Sequence, residues 1–173
     1  MIGTIRKNQH NMSDDRGVDL IRVAKGEGSR FAVAGADLTW KIRGQQTDGK
    51  FCMFEQVLEP GTGVPLHTHS YSEAFYVLSG TIEFASEGGV WQCAAGDVVI
   101  APAQAKHTFH NRGDETARLL SISVVGHERF FDAVEQADRA EPFSALAPEA
   151  AMARIVAIGS ETDTNFVLGE KAR

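Results

Sequence analysis

The chain has 173 residues, of which 43% are hydrophobic and 23% charged, and its formal net charge is −6. These values predict one globular domain and disfavour a nucleic-acid or anionic-membrane partner, because a negative surface repels both. The sequence has neither a basic start followed by an apolar segment nor an apolar run of membrane-spanning length, so we expect a cytoplasmic protein.

Two cysteines are present, Cys52 and Cys93, and they do not form a Cys-x-x-Cys motif. A disulfide framework and a structural thiolate zinc site are therefore disfavoured. We expect both thiols to be buried and to behave as small apolar side chains.

Residues 1–17 are polar and have no sustained period, so they are predicted to form an N-terminal arm that is either mobile or paired with a neighbouring subunit. From residue 18 to residue 126, short segments alternate apolar and polar side chains, and turns rich in glycine separate them. A period of two is typical of half-buried β-strands, and Asp48-Gly49 is a strong hairpin signal. The strand-like segments cover residues 20–24, 38–42, 51–58, 64–69, 73–79, 81–86, 90–94, 97–101, 107–112 and 116–125.

Many short strands at close spacing predict an antiparallel sandwich or barrel over residues 18–126. Residues 127–173 differ, because their apolar residues recur at helical spacing. Pro148 lies where a second helix can begin, and residues 164–168 are predicted to add a last short strand. We expect this helical extension to pack on the β-domain. The apolar face of its first helix comprises Phe130, Phe131, Val134 and Ala137.

Three histidines and a glutamate have the spacing of a metal site. His67 and His69 are two residues apart, so on a strand both imidazoles point to the same face. Glu73 follows after a short break, and His107 begins a separate strand that must lie beside the first. Three neutral imidazoles and one carboxylate suit iron, manganese, nickel, cobalt or zinc, so one divalent transition metal ion is the expected cofactor.

The residues around these candidate ligands resemble the two sequence motifs of the cupin superfamily of small β-barrels. Every fixed position of the first motif is matched, by Gly61, His67, His69, Glu73 and Gly80. The resemblance implies an antiparallel cupin (jelly-roll) barrel with short C-terminal helices.

The second cupin motif is matched by Gly96, Pro102, His107 and Asn111. It departs from the family pattern once, because Gln104 replaces a glycine. Glycine tolerates positive φ and glutamine does so poorly, so the departure concerns the geometry of one turn. The set of candidate ligands is unaffected.

A finer resemblance is to the single-domain quercetin dioxygenase-like cupins, and it is carried by residues 60–80 and 118–132. It implies that His67, His69, Glu73 and His107 bind the metal and that Glu73 removes a proton from an enol or phenol substrate. Dioxygen would then add to the substrate and open its ring. Two alternatives remain open at this stage, since the fold hosts many functions. They are a metal-dependent isomerase or lyase acting on a polar small molecule, and a non-catalytic small-molecule-binding barrel.

Five residues are candidates for the substrate pocket, although core packing explains the aromatic ones equally well, because such side chains fill barrel interiors. They are Phe54, Gln56, Tyr71, Phe75 and Phe109. Asn111 is expected to bond the backbone, while His10 and His127 have no support as ligands. Apolar alternation on both sheets predicts a homodimer that covers one outer face.

Overall fold

The protein is described by a computed structural model that covers residues 19–33 and 36–167. The arm predicted for residues 1–17 lies outside the described residues. Two α-helices, α1 (Val125–Ala140) and α2 (Pro148–Glu161), follow the main run of strands. The strands are β1 (Arg30–Val33), β2 (Ala36–Ile42), β3 (Cys52–Leu58), β4 (Gly63–Thr68), β5 (Glu73–Ser79), β6 (Thr81–Ser86), β7 (Gly89–Ala94), β8 (Val98–Ala101), β9 (His107–His110), β10 (Ala117–Ser123) and β11 (Asn165–Phe166).

The strands form two antiparallel sheets, which confirms the predicted all-β class. One sheet has the order β1-β2-β3-β10-β5-β8, and the other has the order β11-β4-β9-β6-β7. From β3 to β10 the chain passes from one sheet to the other at nearly every connection. This is the crossing pattern of a double-sheet jelly roll. No helix in the described ranges is long and apolar enough to cross a membrane.

The strand-like pattern at residues 20–24 does not form a strand, so that prediction is wrong. Leu20 is 96% exposed and Ile21 is 63% exposed. The edge position beside β2 is taken by β1 (Arg30–Val33), so the earlier segment has no neighbour to pair with. Alternating apolar and polar side chains do not by themselves stabilise a strand, because its backbone N–H and C=O groups also need hydrogen-bond partners on a neighbouring strand.

Two turns contain residues with positive φ, one at the predicted hairpin and one where glutamine replaces the glycine of the cupin motif. Asp48 and Gly49 both have positive φ, 51° and 73°, at the turn between β2 and β3. Gln104 has φ 68°, so it keeps the left-handed conformation that glycine adopts most easily. Its N–H donates to the carbonyl oxygen of His69 at 2.8 Å, which ties this turn to a candidate metal ligand.

Helix α1 closes the domain with the apolar face predicted from its sequence. Phe130, Phe131 and Val134 are buried against side chains of the six-stranded sheet. The Phe131 ring lies edge-on to Phe31 and Phe54, with ring centroids 5.3 Å apart in each pair. Edge-to-face aromatic pairs add to the stabilisation that burial provides. The helix is therefore part of the core.

A salt bridge fixes the start of α1 against the end of β2. Glu128 pairs with the Arg43 guanidinium and also accepts a hydrogen bond from the N–H of Gly44 at 2.8 Å. A Cβ atom on Gly44 would lie 2.4 Å from a methyl group of Val125, so only glycine fits this approach. These contacts hold the first turn of α1 in a defined place over the sheets.

The strain at Gln104 predicts that glycine is better tolerated there. An L-residue in the left-handed conformation costs on the order of 1–2 kcal/mol, and glycine avoids this cost although it increases the freedom of the unfolded chain. We expect Gln104→Gly to raise the free energy of unfolding by about 1 kcal/mol in urea denaturation. Gln104→Ala keeps the Cβ atom and is the control, so an equal gain in both variants would contradict this explanation.

Candidate metal centre

The four predicted ligands come from three strands and one loop, and they meet between the two sheets. His67 lies in β4 and pairs directly with His107, the first residue of β9. His69 follows the end of β4, and Glu73 begins β5 in the opposite sheet. One ligand atom from each of the four residues lies within 4.8 Å of the others, and all four residues are buried. The structure therefore brings together the group that the sequence predicts.

The backbone orients the three imidazoles in the same way. In each ring Nδ1 lies at hydrogen-bonding distance from a carbonyl oxygen two residues away. Since a carbonyl only accepts hydrogen bonds, Nδ1 carries the proton and Nε2 keeps its lone pair. The partners are Pro65 for His67 at 2.8 Å, Tyr71 for His69 at 2.6 Å, and Ala105 for His107 at 3.0 Å.

Three polar atoms at the centre are buried and have no hydrogen-bond partner among the described residues. They are Nε2 of His69, Nε2 of His107 and Oε1 of Glu73. A buried polar atom without a partner costs about 1–3 kcal/mol, so such a group needs an explanation. Lone pairs of two imidazoles and a carboxylate that converge on one point fit a divalent transition metal ion.

Burial and nearby charge favour the protonation states that a metal requires. Burial, with a contribution from His107, lowers the pKa of His67 to about 3. Burial also lowers the pKa of His107. Burial by itself would raise the pKa of Glu73, but His127 and His69 outweigh it and hold this pKa below its ordinary value. The imidazoles of His67 and His107 are therefore neutral, and the Glu73 carboxylate is ionised, at neutral pH.

A cavity of about 440 Å³ adjoins His67 and Glu73. This volume is in the range of small-molecule sites. Three of the five predicted pocket residues lie on its wall, namely Phe54, Gln56 and Phe109. Most of the other lining side chains are apolar, and they include Phe31, Val33, Leu58, Val64, Phe130, Phe131, Val134, Met152, Ile155 and Phe166.

The other two predicted pocket residues lie elsewhere. The Tyr71 ring is stacked on His69, with ring centroids 4.2 Å apart and an interplanar angle of 6°. Phe75 packs against Phe84 and Phe109 in the core, with centroids 5.2 Å apart in both pairs. Phe75 also lines a second cavity, together with His107. Neither ring is on the wall of the larger cavity.

The predicted structural role of Asn111 is confirmed by its contacts. Its side-chain amide donates hydrogen bonds to the carbonyl oxygens of Leu58 and Glu115, each at 2.8 Å. Its side-chain oxygen accepts one from the N–H of Gly113 at 3.0 Å. Cys52 and Cys93 are buried and free, as expected.

The residue that the sequence analysis missed is His127, in the first turn of α1. It is not among the four clustered ligands, but it is buried on the cavity wall beside them. Its Nδ1 lies 3.5 Å from Oε2 of Glu73 and 3.2 Å from Oγ of Ser123. A signal for it does exist, because His127 shares the helical spacing of Phe130 and Val134 and so faces the interior.

The sequence was compared with protein families and with known proteins, and the matches include the part of the chain that holds this site. The family model described as "Cupin domain" matches residues 54–123, which hold all four clustered ligands. The chain is 32% identical to a 5-nitrosalicylic acid 1,2-dioxygenase of Bradyrhizobium over 76 residues, 44% of this chain and 36% of that protein. It is 29% identical to the quercetin 2,3-dioxygenase of Bacillus subtilis over 122 residues, 68% of this chain and 34% of that protein.

The likeness to solved structures concerns the fold. The polyketide cyclase RemF from Streptomyces resistomycificus superimposes with a TM-score of 0.55 and 20% sequence identity, over 62% of this chain and 80% of that one. The chain spans between 34% and 47% of the length of the curated relatives that it matches. The family model matches residues 54–123, the part of the β-domain that holds the site.

The low pKa of His67 predicts how stability depends on pH in the metal-free protein. The pKa is about 3 in the folded protein, against an ordinary value of 6.5. Between these values the unfolded chain binds more protons, so the free energy of unfolding should fall as the pH is lowered from about 6.5 towards 3. Thermal unfolding at a series of pH values measures this slope. His67→Gln removes the titrating group and should make the slope shallower, and an unchanged slope would contradict the assignment.

Proposed function

Because the chain is a member of the cupin superfamily, we propose that it is a metal-dependent oxidoreductase of the dioxygenase type, acting on a small aromatic or enolisable substrate. The observation that carries the proposal is the buried group of three histidines and a glutamate at the end of a cavity with aromatic walls. The two dioxygenases among its relatives support the reaction type.

The residues that would hold the metal are His67, His69, Glu73 and His107. The donor set does not distinguish among iron, manganese, nickel, cobalt and zinc, since all accept imidazole and carboxylate ligands. When bound, such an ion supplies a positive charge that lowers the pKa of a coordinated substrate hydroxyl. The protein contributes three imidazoles whose orientation is already set by backbone carbonyls.

Glu73 is the proposed catalytic base. Its carboxylate is ionised at neutral pH, because His127 and His69 hold its pKa low. It lies on the wall of the cavity, where it can accept a proton from an enol or phenol hydroxyl. Loss of that proton makes the substrate an electron-rich anion that reacts with dioxygen. Both oxygen atoms then enter the product, so no separate reductant is needed.

The cavity wall supports an apolar, planar substrate. Phe54 and Phe109 present aromatic surface near the ligands, and helix α1 adds Phe130 and Phe131. These rings exclude water from the reacting end, which strengthens electrostatic interactions there. Gln56 donates its amide N–H to Ser121 Oγ at 2.8 Å, which leaves its carbonyl oxygen to accept a hydrogen bond from a substrate hydroxyl.

Oxygen consumption tests the proposed reaction. Protein loaded with each metal in turn is assayed with an oxygen electrode against a panel of flavonols and β-diketones. We expect Glu73→Gln to lower the rate by about 10²–10⁴-fold, the usual contribution of a general base. Glu87→Gln makes the same change in an exposed turn and is the matched control.

Two other outcomes would contradict the proposal. Turnover of a substrate without oxygen uptake would indicate an isomerase or lyase. Failure of the protein to bind any of the five metals would indicate a non-catalytic binding barrel. Full activity in Glu73→Gln would remove Glu73 from the role of base while leaving the oxygenase assignment in place.

We also propose that the protein is a homodimer. Five exposed apolar side chains lie together on the outer face of β5, β8 and β10, and β8 is an edge strand of its sheet. An apolar face is complementary to a second copy of itself across a two-fold axis. These side chains are Tyr76, Leu78, Val98, Ile100 and Ile122.

Sedimentation velocity tests the dimer. We expect the unmodified protein to sediment as a dimer and Ile100→Lys to shift it to the monomer, because a charge would be buried without a partner. Leu20→Lys introduces the same charge at a residue that is 96% exposed outside this face, and it should leave the dimer intact. A monomeric unmodified protein would contradict the proposal.

A further inference from the structure

Helix α1 brings a fifth polar side chain to the metal centre, from a part of the chain beyond the matched cupin domain. Oε2 of Glu73 lies 3.3 Å from Nε2 of His69 and 3.5 Å from Nδ1 of His127. The other carboxylate oxygen, Oε1, is buried and has no partner among the described residues. The two oxygens of one carboxylate therefore have different surroundings.

The neighbours of His127 determine which of its nitrogens carries the proton. An ionised carboxylate only accepts hydrogen bonds, so a lone pair on Nδ1 would face the negative Oε2 of Glu73 without attraction. A proton on Nδ1 is attracted to Oε2, and the hydroxyl oxygen of Ser123, 3.2 Å away, also accepts it. The Nδ1–H tautomer is thus the one that suits both neighbours.

The His127 ring is held in this orientation by aromatic packing. It lies nearly parallel to Phe131, at 20° and 5.0 Å between ring centroids, and edge-on to Phe54, at 89° and 5.5 Å. The next residue, Glu128, is anchored to Arg43 and Gly44. Ring and backbone are both fixed, so the Nδ1–H group is in place before any metal binds.

We infer that His127 is a positioning residue for Glu73: its Nδ1–H lies against Oε2 and fixes the orientation of the carboxylate beside the three histidines. The inference rests on the metal centre of the proposed function but not on the dioxygenase reaction. A carboxylate whose orientation is fixed keeps its ligand oxygen in place for the metal. Partners of this kind outside the ligand set commonly contribute about 10–100-fold to metal affinity.

Substitutions at His127 separate a polar contact with Glu73 from simple packing. Asparagine places its side-chain NH₂ group close to the position of imidazole Nδ1, whereas the longer glutamine places it near Nε2. Both are neutral amides, so any loss of packing is similar in the two variants. We expect His127→Gln to weaken the binding of cobalt(II) by about 10–100-fold and His127→Asn to keep most of the affinity.

Cobalt(II) affinity is measured by competition with a chelator, and the visible absorption of the bound ion reports its ligand geometry. The absorption bands should shift in His127→Gln and stay close to those of the unmodified protein in His127→Asn. In the Glu73→Gln background the further change His127→Gln should cost little, because the two residues act through the same contact.

Several results would overturn the inference. Equal affinity and equal spectra in the unmodified protein and His127→Gln would show that Glu73 does not depend on His127. Equal losses in the asparagine and glutamine variants would show that the ring only packs. Absence of cobalt binding by the unmodified protein would overturn the metal centre together with this inference, whereas inactivity towards dioxygen leaves both unaffected.

Discussion

The pairing of β4 with β9 is the constraint on which the site depends, because it places His67 directly opposite His107. Side chains alternate between the faces of a strand, so a slip of one residue would turn either imidazole away from the interior. Backbone carbonyls then select the Nδ1–H form in all three rings, so that each Nε2 lone pair is free to bind. Glu73, in the facing sheet, completes the group. The sheet register, the backbone carbonyls and the buried carboxylate together bring the donor atoms of the four residues to one place.

The two C-terminal helices form part of the wall of the cavity beside this centre. Strands β3 to β10 account for the four clustered residues, but Phe130, Phe131, Met152 and Ile155 of the two helices form part of the wall. Helix α1 is held there by apolar packing and by the contacts of Glu128 with the end of β2. The family match ends at residue 123, so the four clustered residues lie inside the matched domain and both helices lie outside it.

Local patterns in the sequence predicted the parts of the fold that depend on local geometry. The period of two in His67 and His69, the Asp48-Gly49 turn and the helical spacing of Phe130 and Val134 all correspond to the structure. Features that depend on tertiary packing were missed or wrong. The segment at 20–24 alternates but has no neighbouring strand, and His127 becomes significant only because α1 packs across the sheets beside Glu73. Contacts between residues that are distant in sequence cannot be predicted from a short-range pattern.

The central claim is that His67, His69, Glu73 and His107 bind one metal ion. Crystals of the purified, metal-loaded protein, with diffraction recorded on both sides of the absorption edge of that metal, test it directly. The account predicts one anomalous peak per chain between the two sheets, bonded to Nε2 of the three histidines and to a Glu73 oxygen. A peak at any other place, or no peak at this one, would contradict it.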